Sequence, residues 1–288
     1  MVIITDERCT GYAAPGHPEG PARVSGTLDR LRRQNEIPLT WTAPCSAREE
    51  QVLRAHSSAH LHHLLSTTDD FDPDTPWVHD IAEHAWRSAG GALRAMSLAR
   101  DGQAAFSIMR PPGHHATRGR AMGFCYLNNV AIAALEAISD CGERLAVFDF
   151  DVHHGNGTEA ILLNNSHAAT FSVHQYPCYP GTGTEHIGNN AFNYPVAPMT
   201  PRVDYRKVLA QALEDVKAFR PDLVAVSAGF DAYVDDPIAQ ETLEAEDFHW
   251  IGAQVRSLGV PAFHVLEGGY STALPELVLA YLRGVEGK

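Results

Sequence analysis

RLAVFDF, residues 144–150, is an apolar run that ends on acids and is followed at once by the glycine-bearing segment DVHHGNG, residues 151–157. It is too short for a helix and rich in strand formers, so it reads as a buried strand whose carboxyl end opens into a polar loop. Four more segments have the same character: AAFSIM (104–109), ATFSV (169–173), LVAVSA (223–228) and AFHVL (262–266). Helical patterns separate them, at YLNNVAIAALEAI (126–138), 203–219, 246–258 and 274–282. Short apolar strands alternating with longer amphipathic helices predict a mainly parallel sheet covered by helices on both faces, a doubly wound α/β fold. Toward the amino terminus the pattern adds a strand over Val2 to Thr5 and a helix after Pro21 carrying Val24, Leu28 and Leu31. Two further helices are expected, from Glu49 to Leu65 and from about His79 to Ala99, joined by the loop STTDDFDPDTP. No repeat or linker divides the chain, and 1–288 reads as one catalytic-sized domain.

Composition narrows the classes. The 288 residues are 44% hydrophobic and 20% charged, enough apolar material for a large core and too little charge for a disordered chain. No apolar run is long enough to cross a bilayer, and MVIITDERCTG lacks the basic-then-apolar pattern of a secretory signal. Five cysteines without CxxC spacing read as reduced thiols, so a cytoplasmic location is expected. A net charge of −13 argues against nucleic acid as partner and permits steering of cationic substrates. Histidine is in excess, with 16 in the chain.

In doubly wound sheets ligands bind beyond the carboxyl ends of the strands. Four segments at such positions carry unusual chemistry: RPPGHHA (110–116), DFDVHHGNG (149–157), AGFDAY (228–233) and EGGY (267–270). Side chains alternate along an extended chain, so Asp151 and His153 converge on one point with Asp149 behind or beside them. Asp231 is the natural third ligand, and two carboxylates with one imidazole leave a coordination position open, as catalytic zinc sites require. The two prolines before His114 and His115 stiffen a loop that must hold a general base in reach of a water. The paired glycines before Tyr270 imply a flexible turn from which its hydroxyl swings toward a developing oxyanion. Together these parts describe metal-assisted hydrolysis of an amide.

RPPGHHA, GFCYLNNVAIAA, DFDVHHGNGT, PGTGT, SAGFDAY and EGGY, in this order, resemble the zinc-dependent histone deacetylase superfamily, which includes bacterial deacetylase-like amidohydrolases and acetylpolyamine amidohydrolases. The resemblance runs from about His17 to Tyr270 and implies Asp151, His153 and Asp231 as zinc ligands. It implies His115 as general base and acid, His114 as its electrostatic partner supported by Asp149, and Tyr270 as the group polarising the carbonyl. Asn156 stands where class II-like members carry a neutral support for His115, leaving that imidazole less basic than a carboxylate would. The same likeness implies a tunnel lined by Gly123, Phe124 and Tyr179, and a structural potassium held by Asp149, Asp151, His153, Val173 and Ser172. Arg23 matches an arginine lining an internal channel. Asp74 matches an acidic rim residue that holds substrate backbone, with Asp72 as the second choice.

The expected substrate is an acyl-lysine or similar acylated amine, with an acetylpolyamine as the alternative. The metal is zinc, or iron(II), which the same donors accept. Two other readings carry less weight. A two-manganese arginase-type site lacks its further aspartates, and a non-catalytic binding module would have lost a ligand, a histidine or the tyrosine. His56, His60 and His63 share one face of the expected 49–65 helix, where they could hold a metal, although a structural role fits them better. Cys125, Trp86 and Trp250 read as packing residues.

Overall fold

The structure is a computed structural model that describes residues 1–288. In chain order its elements are β1 (Val2–Ile4), α1 (Ala22–Arg33), β2 (Thr40–Thr42), α2 (Glu49–Ala55), α3 (Ser58–Ser66), α4 (Ile81–Arg100), β3 (Ala105–Ser107), α5 (Asn129–Cys141), β4 (Leu145–Asp149) and α6 (Asn156–Leu162). They continue with β5 (Ala168–Gln175), β6 (Ala191–Val196), α7 (Arg202–Phe219), β7 (Leu223–Ala228), α8 (Ala245–Ser257), β8 (Ala262–Leu266) and α9 (Leu274–Glu286). The strands form one sheet in the order β2-β1-β3-β8-β7-β4-β5-β6, and every pairing is parallel.

The pleat explains why the central strands carry no polar face. In β4, Leu145 and Val147 pack with Val130 of α5 and Ala92 of α4, whereas Ala146 and Phe148 pack with Leu209 of α7 and Tyr281 of α9. A strand covered on both sides must be apolar at consecutive positions, which is what RLAVFDF and LVAVSA display. No helix is long and apolar enough to cross a membrane.

The topology also locates the site. The chain leaves β4 toward β5 on one side, and β7 is followed by β8 on the other. A crevice therefore opens between the carboxyl ends of β4 and β7, where doubly wound sheets place their ligands.

Several elements differ from the sequence expectation. The single helix over 49–65 is two helices, because His56 is extended and Ser57 caps α3 by accepting from the His60 amide. His56 is thus off the helix, and both its ring nitrogens are engaged, with the Thr117 carbonyl at 2.9 Å and the Asn128 amide at 2.9 Å. His60 Nε2 donates to the Tyr126 carbonyl at 2.8 Å. The metal-binding reading of this trio fails: His56 and His60 pin the loop over residues 116–128, and His63 is exposed. The helix expected from 126 begins at Asn129, since the Asn128 side chain caps it. Strands β2 and β6 and helix α6 carry short or interrupted patterns that periodicity does not reveal.

Glu241 is 2% exposed and its carboxylate has no protein hydrogen-bond partner. Burial pushes its pKa from 4.5 up to about 8. An acid whose folded pKa is raised is carried protonated in the native state, so it destabilises progressively as pH climbs from 4.5 toward 8. Glu241→Gln is expected to melt several degrees higher than the parent at pH 7.5 and alike near pH 4. Equal melting temperatures at pH 7.5 would show that the carboxylate is solvated there.

Candidate active site

The site is built on loops that the interior holds from below. Arg110, fully buried, grips both Glu19 carboxylate oxygens and the carbonyls of Cys9 and Tyr12. Breaking a buried pair of this kind costs about 3–5 kcal/mol, so the start of the RPPGHHA loop is firmly fixed. Further along, the Gly113 and His114 amides donate to Glu267 Oε2 at 2.7 and 3.1 Å, and the His114 carbonyl receives the Gly157 and Thr158 amides. Prolines contribute, but the stiffness of this loop comes mainly from these long-range bonds.

The strand ends at Asp149, whose carboxylate accepts from the Asp151 amide and meets His114 Nδ1 at 3.1 Å. The chain then bends, and Asp151 and His153 come together with Asp231 from the loop after β7. His153 Nδ1 lies 3.2 Å from Asp151 Oδ1 and 3.1 Å from Asp231 Oδ2. One donor atom from each of the three buried residues lies within 4.8 Å of the others. The Gly268 amide holds Asp151 Oδ2 at 2.7 Å and the Val152 amide holds Asp231 Oδ1 at 2.9 Å, which orients both carboxylates. Burial and the Asp151 charge lift the Asp231 pKa to about 7. Burial opposes charge on His153, but hydrogen bonds to Asp151 and Asp231 raise its pKa well above 6.5. Two buried carboxylates and an imidazole therefore share protons that a divalent cation would displace, and the nitrogen and oxygen donors suit zinc.

The His114 and His115 rings lie 4.0 Å apart between centroids, tilted by 42°, yet only His115 lines the cavity. Its Nδ1 meets Asn156 Oδ1 at 2.7 Å; that oxygen can only accept, so Nδ1 carries the hydrogen and Nε2 is the basic nitrogen. Burial works against charge on His114, but Asp151 and Asp149 outweigh it and raise the pKa to about 10. Burial, with His114 and His153 beside it, pushes His115 well below 6.5. Environments that separate neighbouring pKa values this way mark acid–base machinery.

A cavity of about 290 Å³ leads to this cluster, with His115, His153 and Tyr270 among its walls. Gly123, Phe124, Tyr179 and Asp74, the residues the resemblance implies, also line it, and so do His17, Pro18 and Ile238, which were not expected in the site. Gly123 and Phe124 both take left-handed backbone, at φ 56° and 67°. A side chain at 123 would crowd His115 and Tyr179, and the strained Phe124 is tied down by its amide bond to Thr75 Oγ1 at 3.1 Å. Phe124 meets the rings of Tyr270 and His17 edge-on at 5.6 and 4.5 Å. Asp74 is exposed at the rim, whereas Asp72 Oδ1 accepts the Asp74 amide and so shapes the turn.

One expectation changes. The turn before Tyr270 is not a flexible hinge: Arg23 bonds the carbonyls of Glu267 and Gly269, and Gly268 bonds Asp151 and Phe230. Its glycines serve close approach, since a Cβ on Gly268 would overlap the Asp231 carboxylate, while Gly269 has φ 116°. Arg23, expected along an internal channel, sits behind the wall of this cavity with its guanidinium 4.7 Å from the centre of the Tyr270 ring. The proposed potassium group is adjacent in space, since the β4–β5 register pairs Asp149 with Ser172. The Ser172 hydroxyl sits 2.9 Å from His174 Nδ1.

A parallel α/β sheet whose cavity exposes one of two paired histidines, a tyrosine and the imidazole of a buried Asp-His-Asp cluster has the parts of a metal-dependent amide hydrolase. The histone deacetylase domain pattern matches residues 17–285, and the chain belongs to that family. A probable deacetylase of Methanothermobacter thermautotrophicus is 38% identical, over 100% of this chain and 91% of its own. Acetylpolyamine amidohydrolase 1 of Pseudomonas aeruginosa is 30% identical over 93% and 91%. Among solved structures, the HDA15 HD domain superposes with a TM-score of 0.93 at 29% identity, covering 100% of this chain and 89% of that one.

Proposed function

We propose that the protein is a zinc-dependent lysine deacylase that hydrolyses the amide of an acyl-lysine side chain. The observation that carries this reading is the character of the cavity: its wall holds one carboxylate, Asp74, at the rim, and is otherwise aromatic, aliphatic or imidazole. Such a wall suits the uncharged methylene stem of an acyl-lysine. A polyamine would bring ammonium groups into the tunnel, where an unpaired charge is costly.

Asp151, His153 and Asp231 would hold the zinc; iron(II) suits the same donors. When bound, the metal supplies carbonyl polarisation and a more acidic water. His115 takes a proton at Nε2 and returns it to the departing amine, while Asn156 holds its Nδ1–H. His114, fixed by Asp149, supplies a positive field beside it. Tyr270 donates its hydroxyl to the developing oxyanion. Gly123, Phe124 and Tyr179 enclose the stem, and Asp74 at the rim accepts from substrate backbone amides. Arg23 supports the Tyr270 turn from behind. Asp149, Asp151, His153, Ser172 and Val173 would hold potassium as a structural ion. The five free cysteines fit a cytoplasmic setting, and the whole of 1–288 acts as one catalytic domain.

The second reading, an acetylpolyamine amidohydrolase, is favoured by the net charge of −13 and by the Pseudomonas relative. A matched panel of acetyl-lysine and longer acyl-lysine peptides against acetylputrescine and acetylspermidine separates the two. The expected result is at least about tenfold higher kcat/KM on a peptide, about 1.4 kcal/mol of transition-state preference. Preference for the small amines would transfer the protein to the second reading.

A further inference from the structure

Asp236 is remote in sequence from every residue given a catalytic role except Asp231, and it is 7% exposed. One of its carboxylate oxygens, Oδ2, accepts the amides of both Tyr270, at 2.7 Å, and Ser271, at 3.2 Å. The other, Oδ1, accepts the amide of Ile238, a residue of the cavity wall, at 3.1 Å. Its own amide donates to the Tyr233 carbonyl at 2.9 Å, which closes a turn in the loop that begins with Asp231.

These bonds have an unequal distribution around Tyr270. The residues before it are held by Arg23, Asp151 and Phe230. At Tyr270 and just after it, the amides that set the direction of the Cα–Cβ bond end on Asp236 alone. The tyrosine ring has soft support, an edge contact with Phe124 and the face of the Arg23 guanidinium, neither of which fixes a hydroxyl to a fraction of an ångström. An oxyanion donor must sit within about 2.7–3.1 Å of the developing charge, so the backbone anchor decides whether it is on target.

We infer that Asp236 is a positioning residue that aims the Tyr270 hydroxyl, coupling it to the loop that carries Asp231 and to the wall residue Ile238. The inference rests on the catalytic reading of Tyr270. Asparagine at 236 keeps an oxygen for the Tyr270 and Ser271 amides but turns a donor toward the Ile238 amide, whereas alanine removes both acceptors. Loss of aim affects the transition state more than substrate binding, so the cost falls on kcat.

The test compares Asp236→Ala, Asp236→Asn, Tyr270→Phe and the Asp236→Ala/Tyr270→Phe double variant in the zinc-loaded protein. For each, kcat, KM, zinc content and melting temperature are measured. Asp236→Ala should lose roughly 10- to 100-fold in kcat with KM within about twofold and zinc retained, and Asp236→Asn should recover part of that loss. In the Tyr270→Phe background the same alanine should cost less than about threefold, because there is no hydroxyl left to aim. Full multiplication of the two losses, or a near-normal Asp236→Ala beside a slow Tyr270→Phe, would overturn the inference and leave the role of Tyr270 standing. A near-normal Tyr270→Phe would instead overturn that role and the inference with it. If alanine at 236 does not fold, Asp236→Asn alone and in the Tyr270→Phe background carries the same comparison.

Discussion

His115→Ala is expected to lower kcat by roughly 100- to 10,000-fold, the range that positioned proton transfer contributes, with zinc content unchanged. The imidazole reaches the cavity beside His153 with its Nδ1–H committed to Asn156, which leaves Nε2 to take a proton, whereas the His17 ring on the same wall has both nitrogens engaged, by the Asp74 carbonyl and the Glu19 amide. His114 is a poor substitute: it does not line the cavity, and Asp151 and Asp149, overcoming burial, hold its proton up to a pKa of about 10. Added imidazole of small size should restore part of the rate, since alanine leaves a space of that shape open to the cavity. Steady-state turnover with zinc analysis checks this, and activity within a few-fold of the parent would remove His115 from the chemistry.

Tyr270→Phe is expected to cost roughly 100- to 1,000-fold in kcat, equivalent to about 2.7–4 kcal/mol, with little change in KM. Phenylalanine keeps the ring contacts with Phe124 and Arg23, so the turn and the cavity shape survive and only the hydroxyl is lost. Burial, ahead of the opposing Arg23 charge, pushes the phenol pKa well above 10, which keeps it a donor across the working pH range. A tenfold rise in KM with an unchanged kcat would mean that the tyrosine binds substrate without acting in the transition state.

The sequence was most readable where local chemistry and burial agree. Apolar runs such as LVAVSA had to be doubly covered strands, and their acidic or histidine-bearing ends had to lie at the ligand edge of the sheet. The Asp-x-His pair and Asp231 met as expected because β4 and β7 are neighbours with Asp149 beside Ser227 in the register. Legibility failed where the deciding partner is distant. Nothing near His56 announces that its ring will hold the Thr117 carbonyl and the Asn128 amide and so break a helix. Gly268 reads in sequence as freedom, and only the approach of the Asp231 and Asp151 carboxylates reveals it as clearance. Glu267 and Asp236 stand inside conspicuous segments, yet their work is to receive amides from 113–114 and 270–271, contacts that only the folded chain creates. His17 and Ile238 reach the cavity from loops whose paths no periodicity encodes.

On the proposed function, Asp151, His153 and Asp231 hold a zinc on which amide hydrolysis depends. Metal-stripped protein titrated with zinc, with binding followed by calorimetry and turnover by release of the free amine, tests it most directly. Activity should rise in step with one equivalent of zinc, and Asp231→Ala, still folded, should neither bind that equivalent nor turn over. Full turnover in the stripped protein, or undiminished zinc binding by Asp231→Ala, would contradict it.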